Sequence, residues 1–77
     1  MIEEKVLKAL EAVNEDIVAN KDKDLLAAGI IDSFDIVNLV VELEEAFDIE
    51  IDPSLVIPEN FRTVDAMIEL IKSITEA

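Results

Sequence analysis

The chain has 77 residues, 19 acidic and 6 basic, a net charge of −13 at pH 7, 52% apolar side chains, and no cysteine or histidine. That balance excludes electrostatic attraction to nucleic-acid phosphates or anionic lipid surfaces and points to basic partners. It also excludes a disulfide framework, thiol or imidazole catalysis and soft-metal ligation, so any reactive group has to come from outside the chain.

A mean hydropathy of +0.37 is too high for an acidic disordered chain. The apolar side chains suffice for one core, so residues 1–77 are expected to form a single domain. Abundant Leu, Ala, Glu and Lys, with two prolines and one glycine, predict an all-α fold, a helical bundle. The opening Met1-Ile2-Glu3-Glu4-Lys5 has neither the basic flank nor the apolar run of a signal peptide. No stretch approaches the ~20 apolar residues of a membrane span, which favours a cytoplasmic protein.

In chain order, the first predicted helix covers residues 2–17, with Ile2, Val6, Leu10, Val13 and Ile17 spaced by three and four. Glu3, Glu4, Lys5, Lys8 and Glu11 lie between them. Asn20-Lys21-Asp22-Lys23-Asp24 breaks the pattern, and residues 18–32 read as a long connection pinned by Leu25, Leu26, Ile30 and Ile31. The alternation of Asn20, Asp22 and Asp24 invites comparison with a calcium loop. Such a loop needs glycine where Leu25 stands and a bidentate glutamate where Ile31 stands, so the segment reads as a solvated acidic loop with no metal. Gly29 is placed to let the connection turn before Ser33.

A second helix is predicted over residues 34–47, with Ser33 standing where a capping residue belongs. A short third helical piece is expected at Asp52-Pro53-Ser54, capped by Asp52, started by Pro53 and ended by Pro58. Thr63 is the expected cap of the last helix, residues 64–75, whose buried stripe is Val64, Met67, Ile68, Ile71 and Ile74.

At ~100° per residue, Ile36, Leu39, Val40, Leu43 and Phe47 fall on one stripe of the second helix, the core face. Phe34 and Val41 fall opposite, on an outward face shared with Asn38 and Glu45 and flanked by Glu42 and Asp48. Two solvent-facing apolar side chains inside an acidic rim form an interface pattern; the competing reading folds Phe34 back as a staple at the helix start. Both lie just downstream of Ser33, so a partner acting on that serine meets them first.

The run Asp32-Ser33-Phe34-Asp35 resembles the Asp-Ser-Leu motif of the acyl carrier protein family, with Phe in place of Leu. Val37–Phe47, reading VNLVVELEEAF, resembles that family's second helix. Asp48-Ile49-Glu50-Ile51 and Phe61-Arg62-Thr63-Val64 are similar to the segments that follow it. The resemblance implies that Ser33 carries 4′-phosphopantetheine, taken from coenzyme A by a phosphopantetheinyl transferase and held through a phosphodiester. The arm's thiol would supply the sulfhydryl that the chain lacks and hold an acyl group as a thioester. Unpaired N–H groups and the positive dipole end at the helix start are expected to favour the phosphate ester against repulsion from Asp32 and Asp35.

The resemblance also implies a small, acyl-carrier-like four-helix bundle with a long first loop and a short third helix, serving as a monomeric, non-enzymatic carrier in fatty-acid, polyketide or related acyl-transfer pathways. Its reading face would be Asp32, Phe34, Asp35, Asn38, Val41, Glu42 and Glu45. The expected partners are the transferase, acyl- or aminoacyl-loading ligases and acyl-transfer enzymes with basic docking surfaces. Two departures narrow the choice. Fatty-acid carriers place glycine three residues before the serine, where this chain has Ile30, and glutamate where it has Asn38. Gly29-Ile30-Ile31-Asp32-Ser33-Phe34 more closely resembles the Gly-Leu-Leu-Asp-Ser-Phe of D-alanyl carrier proteins, so a D-alanyl or other aminoacyl carrier for cell-envelope modification is the alternative within the class. From other classes come an unmodified acidic helical interaction module, which Ser33 argues against, and catalysis by a carboxylate pair, for which the sequence provides no pocket.

Overall fold

Ile2–Val13 forms α1, which buries Val6, Ala9 and Leu10 because residues three and four apart share one helix face. The computed structural model describes residues 2–76, and among them every regular element is helical. The first predicted helix does not run unbroken to residue 17. At Asn14 the backbone is extended (φ −159°, ψ 115°) and the side chain accepts the Asp16 N–H at 2.9 Å. Asn14 therefore ends α1 and caps a separate α2, Glu15–Ala19, on which Ile17 is fully buried. Asparagine suits this break because its side chain competes with the helical ladder for backbone donors.

The connection from 20 to 32 is folded around Leu25 rather than loose. Leu25 is fully buried, and its carbonyl accepts the N–H groups of Ile30 (2.9 Å) and Ile31 (3.3 Å). Gly29 makes the return with φ +73°; a Cβ there would meet no atom within 4 Å, so the requirement is for the backbone angle rather than for space. The far side of the molecule closes the loop. The Arg62 carbonyl accepts the Leu25 N–H at 2.6 Å, and Arg62 Nε approaches Asp24 Oδ2 at 3.0 Å. Nε is shielded from solvent yet too poorly aligned for a hydrogen bond, so this attraction is Coulombic.

Ser33–Phe47 forms α3, with Ile36, Leu39 and Leu43 buried and Val40 and Phe47 packed half-buried against the core. Asp48 ends α3 in the left-handed conformation (φ 53°), which a short polar side chain tolerates. Glu44 then ties down the stretch that follows: its carboxylate accepts the Ile51 N–H at 2.8 Å. Asp52 caps a 3₁₀ turn, Pro53–Leu55, by accepting the Ser54 N–H at 2.8 Å. Pro58 does not end this piece. It opens a further short helix, α4, Pro58–Phe61, because a proline at the first helical position loses no hydrogen bond and already has a helical φ.

Thr63 accepts the Ala66 N–H at 3.0 Å and caps α5, Val64–Thr75. Val64, Met67 and Ile71 are buried as the spacing predicts; Leu70 is buried as well, while Ile68 and Ile74 are only half-buried. The long helices α1, α3 and α5 thus enclose the core, with α1 packed against both others and α4 against α5. Each fully buried aliphatic side chain contributes about 1.5–3 kcal/mol through burial. The Glu3–Lys72 pair at 3.5 Å between α1 and α5 is exposed and contributes less than about 1 kcal/mol.

The carboxyl of Asp24 is held below the usual range first by the Ala27 N–H, which it accepts at 3.0 Å, and then by the nearby Arg62 guanidinium. A depressed folded-state pKa gives stability that is present at neutral pH and lost as pH falls through the folded value. In Arg62→Ala, NMR titration of Asp24 should show its pKa rising part of the way and stopping short of the ordinary value, because the Ala27 N–H remains. A pKa unmoved by the substitution would show that Arg62 exerts no field at this loop.

Candidate functional site

Asp32, not Ser33, caps α3. Asp32 has an extended backbone, and its Oδ1 accepts the N–H groups of Phe34 (3.0 Å) and Asp35 (3.1 Å). Asp35 Oδ2 in return accepts the Asp32 N–H at 3.0 Å, completing a reciprocal capping box. The expected cap thus moves back by one residue, because the carboxylate at position 32 reaches the donors that a hydroxyl at 33, already inside the first turn, does not. Ser33 is left at the first helical position, exposed, with no hydrogen bond on its hydroxyl among the described residues.

The same box revises the expectation of open N–H groups at this helix start. The Asp32, Phe34 and Asp35 donors are taken by carboxylates, and the Ile36 N–H by the Asp32 carbonyl. Only the N–H of Ser33 itself stays unpaired in this turn. A phosphate ester on Ser33 Oγ would therefore lie outside the cap, toward solvent, with little backbone cradle. Replacing Asp32 by Ala should cost about 1 kcal/mol of stability, the usual value of a cap, measured by urea unfolding. Equal losses for Asp32→Ala and Ser33→Ala would contradict this assignment.

Three of the other four hydroxyl side chains are already engaged. Thr63 caps α5, Ser73 Oγ donates to the Leu70 carbonyl (2.7 Å) and Thr75 Oγ1 to the Ile71 carbonyl (2.9 Å). Ser54, through its N–H and then its hydroxyl, holds the carboxyl of Asp52 below the usual range. In the connection before α3, Asn20 Nδ2 donates to the Asp16 carbonyl and Asp24 turns to Ala27, so these side chains serve the chain's own backbone. Among the described residues, no group of three or more carboxylates is gathered as a metal site.

Downstream of Ser33 the outward face of α3 is open. Phe34 is 79% exposed and does not fold back as a staple; Val41 is 45% exposed. Asp32, Asn38 and Glu45 are exposed, while Asp35 and Glu42 are half-buried. Asp48, expected as a flank of this face, serves as the helix terminator. Val37, 59% exposed, is an addition. Its position three after Phe34 and four before Val41 was the signal for it, since that spacing puts all three on one stripe. No Lys or Arg occurs between Lys23 and Arg62, so every charged side chain on the segment that carries Ser33 and α3 is acidic.

A family model described as a phosphopantetheine attachment site matches residues 2–71. The chain belongs to that phosphopantetheine-attachment family. The carrier is 38% identical to a D-alanyl carrier protein of Streptococcus uberis, over 99% of this chain and 98% of that one. It is also 38% identical to one from Streptococcus mutans and 32% identical to one from Streptococcus pyogenes, with the same coverage. No solved structure matches it significantly. The carrier's prosthetic group is 4′-phosphopantetheine, and the family's role is to hold acyl groups on that arm. Ser33 fits such a group: its hydroxyl is exposed, uncommitted and at the head of a rigid 15-residue helix.

Proposed function

We propose that Ser33 Oγ is the attachment point of the arm and that the carried group is D-alanine or a related aminoacyl unit. The single observation behind the first half is that Ser33 stands exposed and free of hydrogen bonds at the first position of α3, whereas the Thr63, Ser73 and Thr75 hydroxyls bond to the backbone and Ser54 sits on the 3₁₀ turn beside the Asp52 carboxylate. Support for the second half comes from Gly29-Ile30-Ile31-Asp32-Ser33-Phe34 and from the full-length similarity to the streptococcal D-alanyl carriers. When bound, the arm supplies a flexible tether and a thiol for a thioester.

The chain's own residues do the rest. The capping box holds the serine at a fixed helix end, and α3 presents the face that partners read. That face comprises Asp32, Phe34, Asp35, Asn38, Val41, Glu42 and Glu45, now extended by Val37. Phosphopantetheinyl transferase, an aminoacyl-loading ligase and acyl-transfer enzymes would approach it with basic surfaces, steered by the uniform charge of residues 24–61. Transient docking of this kind suits a monomeric, cytoplasmic, single-domain chain that itself catalyses nothing.

Incubation with coenzyme A and a promiscuous transferase should add one phosphopantetheine, located by fragmentation mass spectrometry on Ser33, and not on Ser54, within the tryptic peptide Asp24–Arg62. A D-alanine-activating ligase should then load the modified protein with D-alanine. Modification on any other residue would overturn the site. Modification at Ser33 followed by loading with fatty acids and not with D-alanine would retain the site and overturn the cargo.

A further inference from the structure

A run of bonds links the start of α5 to the head of α3. The Arg62 carbonyl accepts the Leu25 N–H, and Arg62 Nε lies 3.0 Å from Asp24 Oδ2. Asp24 accepts the Ala27 N–H on its carboxylate and the Ala28 N–H on its carbonyl, and the Leu25 carbonyl accepts the N–H groups of Ile30 and Ile31. Ile31 leads directly into Asp32, the cap that precedes Ser33. We infer that residues 24–31 open and close as one unit, separately from the core of α1, α3 and α5, and that the Asp24–Arg62 pair is the latch that holds them shut. The inference goes beyond the proposed function and does not depend on which residue bears the arm.

The segment is tied to itself more than to the rest of the molecule. Among the described residues, the hydrogen bonds and ion pairs that leave it are the two contacts with Arg62 and a long 3.5 Å approach of Asn14 Nδ2 to the Ile30 carbonyl. Leu25 and Ile31 are buried, Leu26 and Ile30 half-buried, and Ala27, Ala28 and Gly29 exposed. Apolar burial is non-directional, so it draws the segment inward without fixing where Leu25 sits; the bonds to Arg62 do that. Arg62 is a firm anchor, since it follows the fully buried Phe61 and precedes Thr63, whose side chain caps α5. A unit held by few buried side chains and one polar clamp opens at a lower free energy than the helices around it.

The latch itself is electrostatic. Asp24, whose carboxyl is held low first by the Ala27 N–H and then by Arg62, is ionised at neutral pH. Arg62 is the only basic residue between Lys23 and Lys72, so no other cation of that stretch can replace it. Both side chains are partly exposed, at 43% and 38%, which leaves the pair open to screening by salt. Once the pair parts, Leu25 loses its anchor and the backbone entering Asp32 is no longer held. The start of α5 thereby sets how firmly the approach to Ser33 is fixed.

Native-state hydrogen exchange on the ¹⁵N-labelled full chain tests this. In the parent chain the Leu25, Ala28, Ile30 and Ile31 amides should exchange together, and faster than the Leu10, Leu43 and Ile71 amides of the core helices. Arg62→Gln should speed those four by about two- to five-fold at low salt, the worth of one such ion pair. Asp24→Asn, which keeps an oxygen for the Ala27 N–H, should do the same, and the double variant should go no further than either alone. At about 1 M salt, where the screening length falls to ~3 Å, the gap between the parent and Arg62→Gln should shrink. Ile71→Val, which removes one methylene from a fully buried side chain, should speed the core amides and leave the four untouched, because the segment opens with Ile71 still packed. Four amides that exchange no faster than the core, or that Ile71→Val speeds along with it, would show that the segment opens only when the whole chain unfolds. Unchanged exchange in Arg62→Gln, or additive effects in the double variant, would show that the pair is not the latch.

Discussion

Ser33→Ala will take up no phosphopantetheine from coenzyme A, while its thermal unfolding stays within about 0.5 kcal/mol of the parent chain, as for an ordinary surface substitution. The loss of modification is expected to be complete because the Thr63, Ser73 and Thr75 hydroxyls are bonded to the chain and Ser54 lies on a separate 3₁₀ turn beside the Asp52 carboxylate. Stability is spared because the donors at the head of α3 are satisfied by Asp32 and Asp35 rather than by the serine. Intact mass after incubation with a transferase reads the first effect, and a melting curve reads the second. Modification that persists in Ser33→Ala would refute the attachment site. A melting point far below the parent's would show instead that the hydroxyl has a structural partner.

Leu43→Ala should destabilise the protein by about 2–5 kcal/mol, since a fully buried leucine leaves a cavity that the surrounding helices fill only in part. In a domain of this size that lowers Tm by more than about 10 °C. Val41→Asp, two residues earlier on the same helix, should leave Tm nearly unchanged, because nearly half of that side chain already faces water. It should nevertheless weaken any partner that docks on α3 by placing a charge in the contact. Parallel melting curves, and the rate of phosphopantetheine transfer for each folded variant, separate packing from recognition. If Val41→Asp unfolds the chain as severely as Leu43→Ala, the outward face of α3 is part of the core and does not serve as a docking surface.

Much of this was readable from residue spacing. The stripe of Ile36, Leu39 and Leu43, the exposure of Phe34 and Val41, the cap at Thr63 and the bends at Gly29 and Asp52 follow from helical period and from the local chemistry of single residues. The absence of cysteine and histidine pointed to a borrowed reactive group, and the resemblance carried by Asp32-Ser33-Phe34-Asp35 pointed to Ser33 as the residue proposed to bear it. Such features depend on neighbours within one helical turn, so sequence alone determined them.

What sequence left open turned on choices among competing bonds. Asn14 could continue a helix or cap a new one, and only the packing of Ile17 and the approach of Ile30 favour the second. Position 32 or 33 could cap α3; the extended backbone at Asp32 and the reciprocal bond from Asp35 decide it. Pro58 could end one helical piece or begin another, which depends on where the buried Phe61 has to point. The Asp24–Arg62 clamp joins residues far apart in the chain. Periodicity reports which side chains share a face of one helix and carries no information about which helix that face will meet, so only the tertiary structure could bring those residues together.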